Sequence, residues 1–297
     1  MRTTKCTHLV LVLLIALSPS YAWASQLESL LNAANQQRVY RQPAPAELQH
    51  AERLFRQTLE GAPIAQLQGG WQTLGFNLQT VFENGSTFYV LAEAEDLRYG
   101  RGFYLFQPSP QLAVALQATH RFRDFHTGKL VLSLAAHYRV AAAAWNTVPR
   151  SFKQNGRQAE ADVAHLSNSY FLAFSRAFAA VYKTGYLMQV HGFAKRKRST
   201  IAGAQADVII SSGSQAPSSA VLAASYCLKH MIPGVVHLYP QDVSELGGTM
   251  NTVGQALRQM GHDGFIHLEL SKPMRERMLD QATLRHPILA CLPPTRL

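Results

Sequence analysis

Gly264-Phe-Ile-His-Leu-Glu-Leu-Ser-Lys-Pro273 is a short apolar run, strand-like over Gly264 to Leu270, followed at once by a helical stretch from Lys272 to Leu284. It carries Glu269 close to the end of a strand that should be buried. A buried carboxylate costs several kcal/mol unless a cation or hydrogen bonds compensate it, so Glu269 calls for a partner. Two earlier apolar runs also end in a polar group. Leu112-Ala-Val-Ala-Leu-Gln-Ala-Thr-His120 leads into Arg-Phe-Arg-Asp124, and Tyr186-Leu-Met-Gln-Val-His191 leads into Gly192-Phe193. Three polar groups at three apolar strand ends point to one site.

Working outward, the same strand-then-helix unit recurs. Helix is expected at Lys129 to Tyr138, Ser167 to Lys183, Ser218 to Met231 and Asn251 to Met260. Strands are expected at Val140 to Trp145, Tyr186 to Val190, Asp207 to Ser211 and Gly234 to Tyr239. This alternation predicts an α/β fold: a mixed, mainly parallel sheet with helices on both faces, whose function gathers at the carboxyl ends of its strands. Upstream, Glu47 to Glu60 has apolar residues at helical spacing and Gly61 as a C-cap. Runs around Leu74-Gly-Phe76, Thr87 to Leu91, Gly102 to Phe106 and Leu112 to Leu116, separated by turn residues, read as a meander.

Arg2 and Lys5 precede the apolar stretch Leu9 to Leu17, and Ala22-Trp-Ala24 supplies a small-x-small cleavage pattern, so residues 1–24 read as an export signal. Its apolar core is too short to span a membrane, and no later segment competes, so no integral membrane segment is expected once the signal is removed. The expected location is periplasmic or secreted. Residues 25–45, rich in Gln, Asn and Ala, read as a flexible or marginally helical lead-in, and 46–297 as a single α/β domain. The formal charge of +10 falls to about +8 without Arg2 and Lys5, which favours anionic partners. No zinc-finger, homeodomain or RNA-binding signature accompanies that charge, so nucleic acid is not expected. Cys227 and Cys291 remain after the signal and could pair in an oxidising compartment, too few for a disulfide scaffold.

Imidazole and carboxylate are standard ligands of a divalent metal, and a strand-to-loop turn can converge His120 and Asp124. The competing reading of that pair is a surface turn with an Arg–Asp contact. His191, before a glycine that lets another group approach, supplies a third ligand or else a hydrogen-bonded core histidine. Asp162 or His165, in Ala161-Asp-Val-Ala-His165, could replace Asp124; an N-terminal helix cap is the alternative for them. Glu269 fits as a base, and His267, two residues earlier on the same face, could orient it. Lys195-Arg-Lys-Arg198 reads as a solvated loop or as the rim of an anion-steering cleft.

In order and context these residues resemble the zinc carboxypeptidase-like hydrolases, with N-formylglutamate amidohydrolases and poly-γ-glutamate hydrolases as remote relatives. The resemblance runs from about residue 112 to 280. An early His with a nearby acid matches His120 and Asp124, a later strand-end His matches His191, and a late Glu-Leu followed by a basic residue matches Glu269-Leu270 and Arg275. The resemblance implies a zinc carboxypeptidase or phosphorylase/hydrolase-like fold and one Zn2+ held by His120, Asp124 and His191. It implies Glu269 as general base toward a metal-activated water. It also implies that Asn146 and Arg150, between the first and last ligands, grip the substrate's carboxylate and polarise the scissile carbonyl. Carboxypeptidases usually place Glu three residues after the first His, whereas here Arg123 stands there and the nearest acid is Asp124.

The expected activity is therefore an exported, zinc-dependent hydrolase cleaving an amide or peptide bond in a peptide or acyl-amino-acid substrate, with peptidoglycan-derived or other acidic peptides suiting the charge. The alternative from another class is a non-catalytic periplasmic binding or assembly module that uses the basic face.

Overall fold

The computed structural model describes residues 25–35, 39–295 and 297; the expected export signal, 1–24, lies outside them. The described residues form strands β1 (Phe76–Glu83), β2 (Ser86–Glu93), β3 (Phe103–Phe106), β4 (Leu112–Ala118), β5 (Val140–Trp145), β6 (Ser151–Gln154), β7 (Arg157–Glu160), β8 (Tyr186–Phe193), β9 (Val208–Ser211), β10 (Val236–Leu238) and β11 (Phe265–Ser271). The helices are α1 (Gln26–Ala33), α2 (Pro45–Leu59), α3 (Ile64–Thr73), α4 (Thr127–His137), α5 (Tyr170–Val181), α6 (Ile201–Gln205), α7 (Ser219–Met231), α8 (Thr252–Gln259), α9 (Lys272–Asp280) and α10 (Ala282–Ala290).

Nine strands make one sheet in the order β1-β2-β3-β5-β4-β8-β11-β9-β10. Its centre, β5-β4-β8-β11, is parallel. The meander β1-β2-β3 joins antiparallel at one side, and β9, paired parallel with β10, joins antiparallel to β11 at the other. Helices α4, α7, α9 and α10 cover one face, and α2, α5 and α8 the other, so the sheet is the expected mixed α/β layer with helices on both sides. Parallel strands with crossover helices bury both faces, which explains why the central runs read as almost continuously apolar. In β5 every residue from Val140 to Trp145 is buried.

Three local expectations change. The lead-in contains helix α1: Ser25 accepts a hydrogen bond from the Glu28 amide as N-cap, and Leu27 and Leu31, four residues apart on one face, are buried in the core. That docked stripe outweighs the polar composition of residues 25–45. The helix expected from Lys272 to Leu284 is split at Gln281, extended at φ −122° and ψ 105°, into α9 and α10. Residues 151–160, given no element from the sequence, form the hairpin β6-β7. Its strands are polar and exposed, so there is no apolar alternation to read, although Asn155-Gly156 with φ of 51° and 76° supplies a hairpin turn.

Cys227 of α7 and Cys291 at the end of α10 form a disulfide. Among the described residues no helix is long and apolar enough to cross a membrane.

Candidate metal centre and cleft

The carboxyl ends of β4, β8 and β11 open into one cleft of about 770 Å³. His120 lies two residues beyond β4, in a helical turn where the amides of Arg123 and Asp124 both donate to the His120 carbonyl at 2.9 Å. That turn puts His120 and Asp124 on the same side, as positions four apart on a helix would be. His191 stands near the end of β8, and Glu269 is its register partner on β11. Because side chains alternate along a strand, His191, Glu269 and His267 project from the same face of the sheet.

His120, Asp124 and His191 each offer a ligand atom within 4.8 Å of the others. His120 Nδ1 is 3.9 Å and His191 Nδ1 3.6 Å from Asp124 Oδ2. Ligands bonded at about 2.1 Å to one tetrahedral ion stand roughly 3.4 Å apart, so two imidazole nitrogens and a carboxylate oxygen at these separations fit one divalent cation. Asp162 takes a different place from the one the sequence left open for it. Its Oδ1 lies 2.7 Å from His120 Nε2, on the far side of the ring from Asp124. An ionised carboxylate only accepts, so Nε2 carries the proton and Nδ1 presents its lone pair toward Asp124 and His191. Asp162 thus orients His120, as an outer carboxylate does for a ligating imidazole. His165 contacts the Met250 carbonyl through Nδ1 at 3.2 Å and lines the cleft.

Charge states follow from surroundings. Burial, with the neighbouring His267 and His120, pushes His191 well below its ordinary pKa, so it is neutral at pH 7, the form that ligates metals. Burial pushes Asp124 upward, while His120, the Gly192 amide, Arg275 and Arg150 oppose that rise. For Asp162 burial also works against the charge, but its hydrogen bond with His120, with His165 and the Arg150 guanidinium nearby, holds the carboxyl below the usual value.

Glu269 is 7% exposed, with Oε1 3.3 Å from His267 Nε2. Its Oε2 and His267 Nδ1 are buried and have no hydrogen-bond partner among the described residues. A buried carboxylate oxygen left without a donor is costly in isolation and available to a reacting molecule. Two glycines make the arrangement possible: a Cβ on Gly192 would overlap the Arg275 guanidinium, and one on Gly248, at φ 64°, would lie 2.7 Å from the His267 ring. Arg275, buried beneath Gly192, donates to the carbonyls of Phe125, at 2.7 Å, and Leu270, pinning the loop after His120 to the end of β11.

No protein-family model matches this chain, and no curated protein does. Among solved structures it is similar to the N-formylglutamate amidohydrolase from Ralstonia eutropha JMP134, with a TM-score of 0.41 and 12% identity over 64% of this chain and 97% of that one. It is also similar to a zinc-free YndL structure, with a TM-score of 0.37 and 13% identity over 60% of this chain and 82% of that one. These are remote likenesses of fold, and the reading of the site rests on its own side chains.

Of the other residues singled out in the sequence, Arg150 lines the cleft, with Nη1 3.8 Å from Asp162 Oδ2. Asn146 does not reach it. Its amide is committed to backbone, donating to the Thr119 carbonyl and accepting from the Val148 amide, both at 3.2 Å, so it shapes the turn after β5 instead of meeting substrate. The basic run divides: Lys195 pairs with Asp207 outside the cleft, while Arg196, Lys197 and Arg198 line it, Arg198 paired with Glu245. Arg123 and Lys272 line it too and were not singled out. Gln117 and Gln189, fully buried beneath the site, were likewise missed. Their signal was present, as a glutamine within an otherwise apolar strand just ahead of each histidine.

Proposed function

We propose that this protein is an exported zinc-dependent hydrolase that cleaves an amide or peptide bond in an anionic peptide or acylated amino acid. One observation carries the reading: two imidazole Nδ1 atoms and one carboxylate oxygen converge beside a buried glutamate with an unpartnered oxygen. His120, Asp124 and His191 would hold the ion, and zinc bound there supplies a Lewis acid that polarises a carbonyl and acidifies water toward neutral pH. Zinc suits a donor set of two imidazoles and one carboxylate, which leaves room for reactants.

The chain's own residues do the rest. Glu269 accepts the proton of the attacking water on Oε2 and returns it to the departing nitrogen, while His267 holds Oε1 in place. Arg150 offers its guanidinium to a substrate carboxylate or to the charge that develops on the scissile carbonyl oxygen. Arg123, Arg196, Lys197 and Lys272 surround the entrance with positive charge, which raises the local concentration of an anionic substrate. The leader-like residues 1–24 and the Cys227–Cys291 bond support an oxidising location outside the cytoplasm, where peptidoglycan-derived peptides are candidate substrates.

The test is elemental analysis of the purified protein together with hydrolysis of N-acyl-glutamate and acidic peptides. Wild type and Glu269→Gln should carry about one zinc per chain, and His120→Ala and His191→Ala should lose it. Glu269→Gln should lower turnover about 100- to 10,000-fold. Zinc that survives both histidine substitutions would place the ion elsewhere. Zinc bound without turnover in wild type would favour the binding-module reading.

A further inference from the structure

Beneath the metal centre the sheet carries a row of polar side chains in register across three junctions. Gln117 of β4 pairs with Gln189 of β8, Gln189 with His267 of β11, and His267 with Ser211 of β9. Gln117, Gln189 and Ser211 are fully buried, and His267 is 5% exposed. Such a row in a sheet centre is costly unless every group finds a partner. The hydrogen bonds that compensate it also have a direction.

That direction is fixed at two separate ends. At α5, Ser175 Oγ donates to the Phe171 carbonyl at 2.7 Å, which uses its one proton. Gln117 must therefore turn its amide nitrogen toward Ser175, at 3.0 Å, and its oxygen toward Gln189. Gln189 must answer with its own nitrogen, at 2.7 Å, and so presents Oε1 to the other side. At α8, Asn251 is the N-cap, and its Oδ1 accepts from the amides of Val253 at 3.0 Å and Gly254 at 3.3 Å. Its nitrogen is then left to donate to Gln189 Oε1, at 2.6 Å. Both ends agree on the orientation of Gln189.

His191 Nε2 lies 3.2 Å from that same Gln189 Oε1. An amide oxygen only accepts, so Nε2 carries the single proton of the neutral, buried ring and Nδ1 is bare; the Thr119 hydroxyl, 3.4 Å from the same Nε2, can accept as well as donate and does not oppose this. Nδ1 is the atom 3.6 Å from Asp124 Oδ2. We infer that Gln189, held by Gln117 and Asn251, is a positioning residue that sets the tautomer of His191 and keeps Nδ1 free to bind a cation. The chain from Ser175 through Gln117 and Gln189 does for His191 what Asp162 does for His120, with neutral amides in place of a carboxylate. The tautomer follows from the hydrogen bonds of a neutral ring; its purpose rests on the metal-site reading above.

Asn251→Asp gives a sharp test, because Asp caps a helix as well as Asn does and the fold should persist. The substituted carboxylate turns an oxygen toward Gln189 where Asn251 had a donor. Gln189 must then present its nitrogen to that oxygen and to His191, and the chain through Gln117 and Ser175 can reverse to follow. Nitrogen-15 NMR of the metal-free protein, with the His191 signals assigned by comparison with His191→Gln, reads the tautomer directly. The expected result is a proton on Nε2 in wild type and on Nδ1 in Asn251→Asp, with zinc affinity, measured by chelator competition, about 10- to 100-fold weaker in the variant. A wild-type proton on Nδ1, or a variant with unchanged tautomer, overturns the inference. Gln189→Leu removes the acceptor altogether and should leave the ring as a mixture of tautomers; a single unchanged tautomer there also overturns it. If the tautomers behave as expected but wild type binds no zinc, the positioning stands and the metal reading falls.

Discussion

The two faces of β4, β8 and β11 are built from alternate residues of the same three strands, yet they do different jobs. Val114, Leu116, Met188, Val190, Ile266 and Leu268 point to one side and pack against α4, α7 and α9 in a continuous apolar core. Gln117, Gln189, His191, His267 and Glu269 point to the other, toward α5, α8 and the cleft. The polar face starts apolar, with Ala115, Leu187 and Phe265, and becomes polar only toward the carboxyl ends of the strands. The apolar core and the candidate site are thus separated by the period-two geometry of a strand, and a one-residue slip would exchange them.

The largest effect expected from this contrast is on the apolar face. Leu268→Ala, at a residue 1% exposed, should destabilise folding by about 3 kcal/mol, read as a lower urea midpoint, while zinc stoichiometry stays the same. Lost metal with unchanged stability would break the separation.

A buried carboxylate far from the cleft provides a second contrast. Glu93, at the end of β2, accepts from the amides of Tyr99 and Arg101, yet burial pushes its pKa up from 4.5 to about 7. The folded state therefore holds a proton that the unfolded chain gives up. This stabilising contribution is full below pH 4.5 and is lost as the pH rises through about 7, up to about 3 kcal/mol in all. Urea midpoints between those pH values should fall in wild type and fall less in Glu93→Gln; equal slopes would refute the assignment.

The smallest effect concerns the outer support of His120. Asp162→Ala should weaken zinc binding about 10- to 100-fold with little change in folding stability. An unchanged affinity would mean that the turn after β4 orients His120 unaided.

Much of this was legible in the chain. The apolar runs ending in His120, His191 and Glu269 marked the strands and the ends that converge on the cleft, because a polar group at the end of a buried strand conflicts with its surroundings and stands out. Val140 to Trp145 reads as a strand and is one, residue for residue. Helix α1 and the β6-β7 hairpin were hidden for opposite reasons: the first is a short apolar stripe in a polar segment, the second a pair of exposed strands with no apolar pattern. Asn146 looked functional by position along the chain, but its amide closes a turn.

The sequence by itself determined which residues could carry chemistry and on which strands, since residue type and period-two alternation are local properties. Tertiary structure alone decided what each of them touches. That Asp162, 42 residues from His120, meets its outer nitrogen, and that Gln189 is held between Gln117 and Asn251, depends on β4, β8 and α8 meeting in space. Hydrogen-bond direction belongs to a closed network of partners, and such a network exists only once segments distant in the chain are packed together.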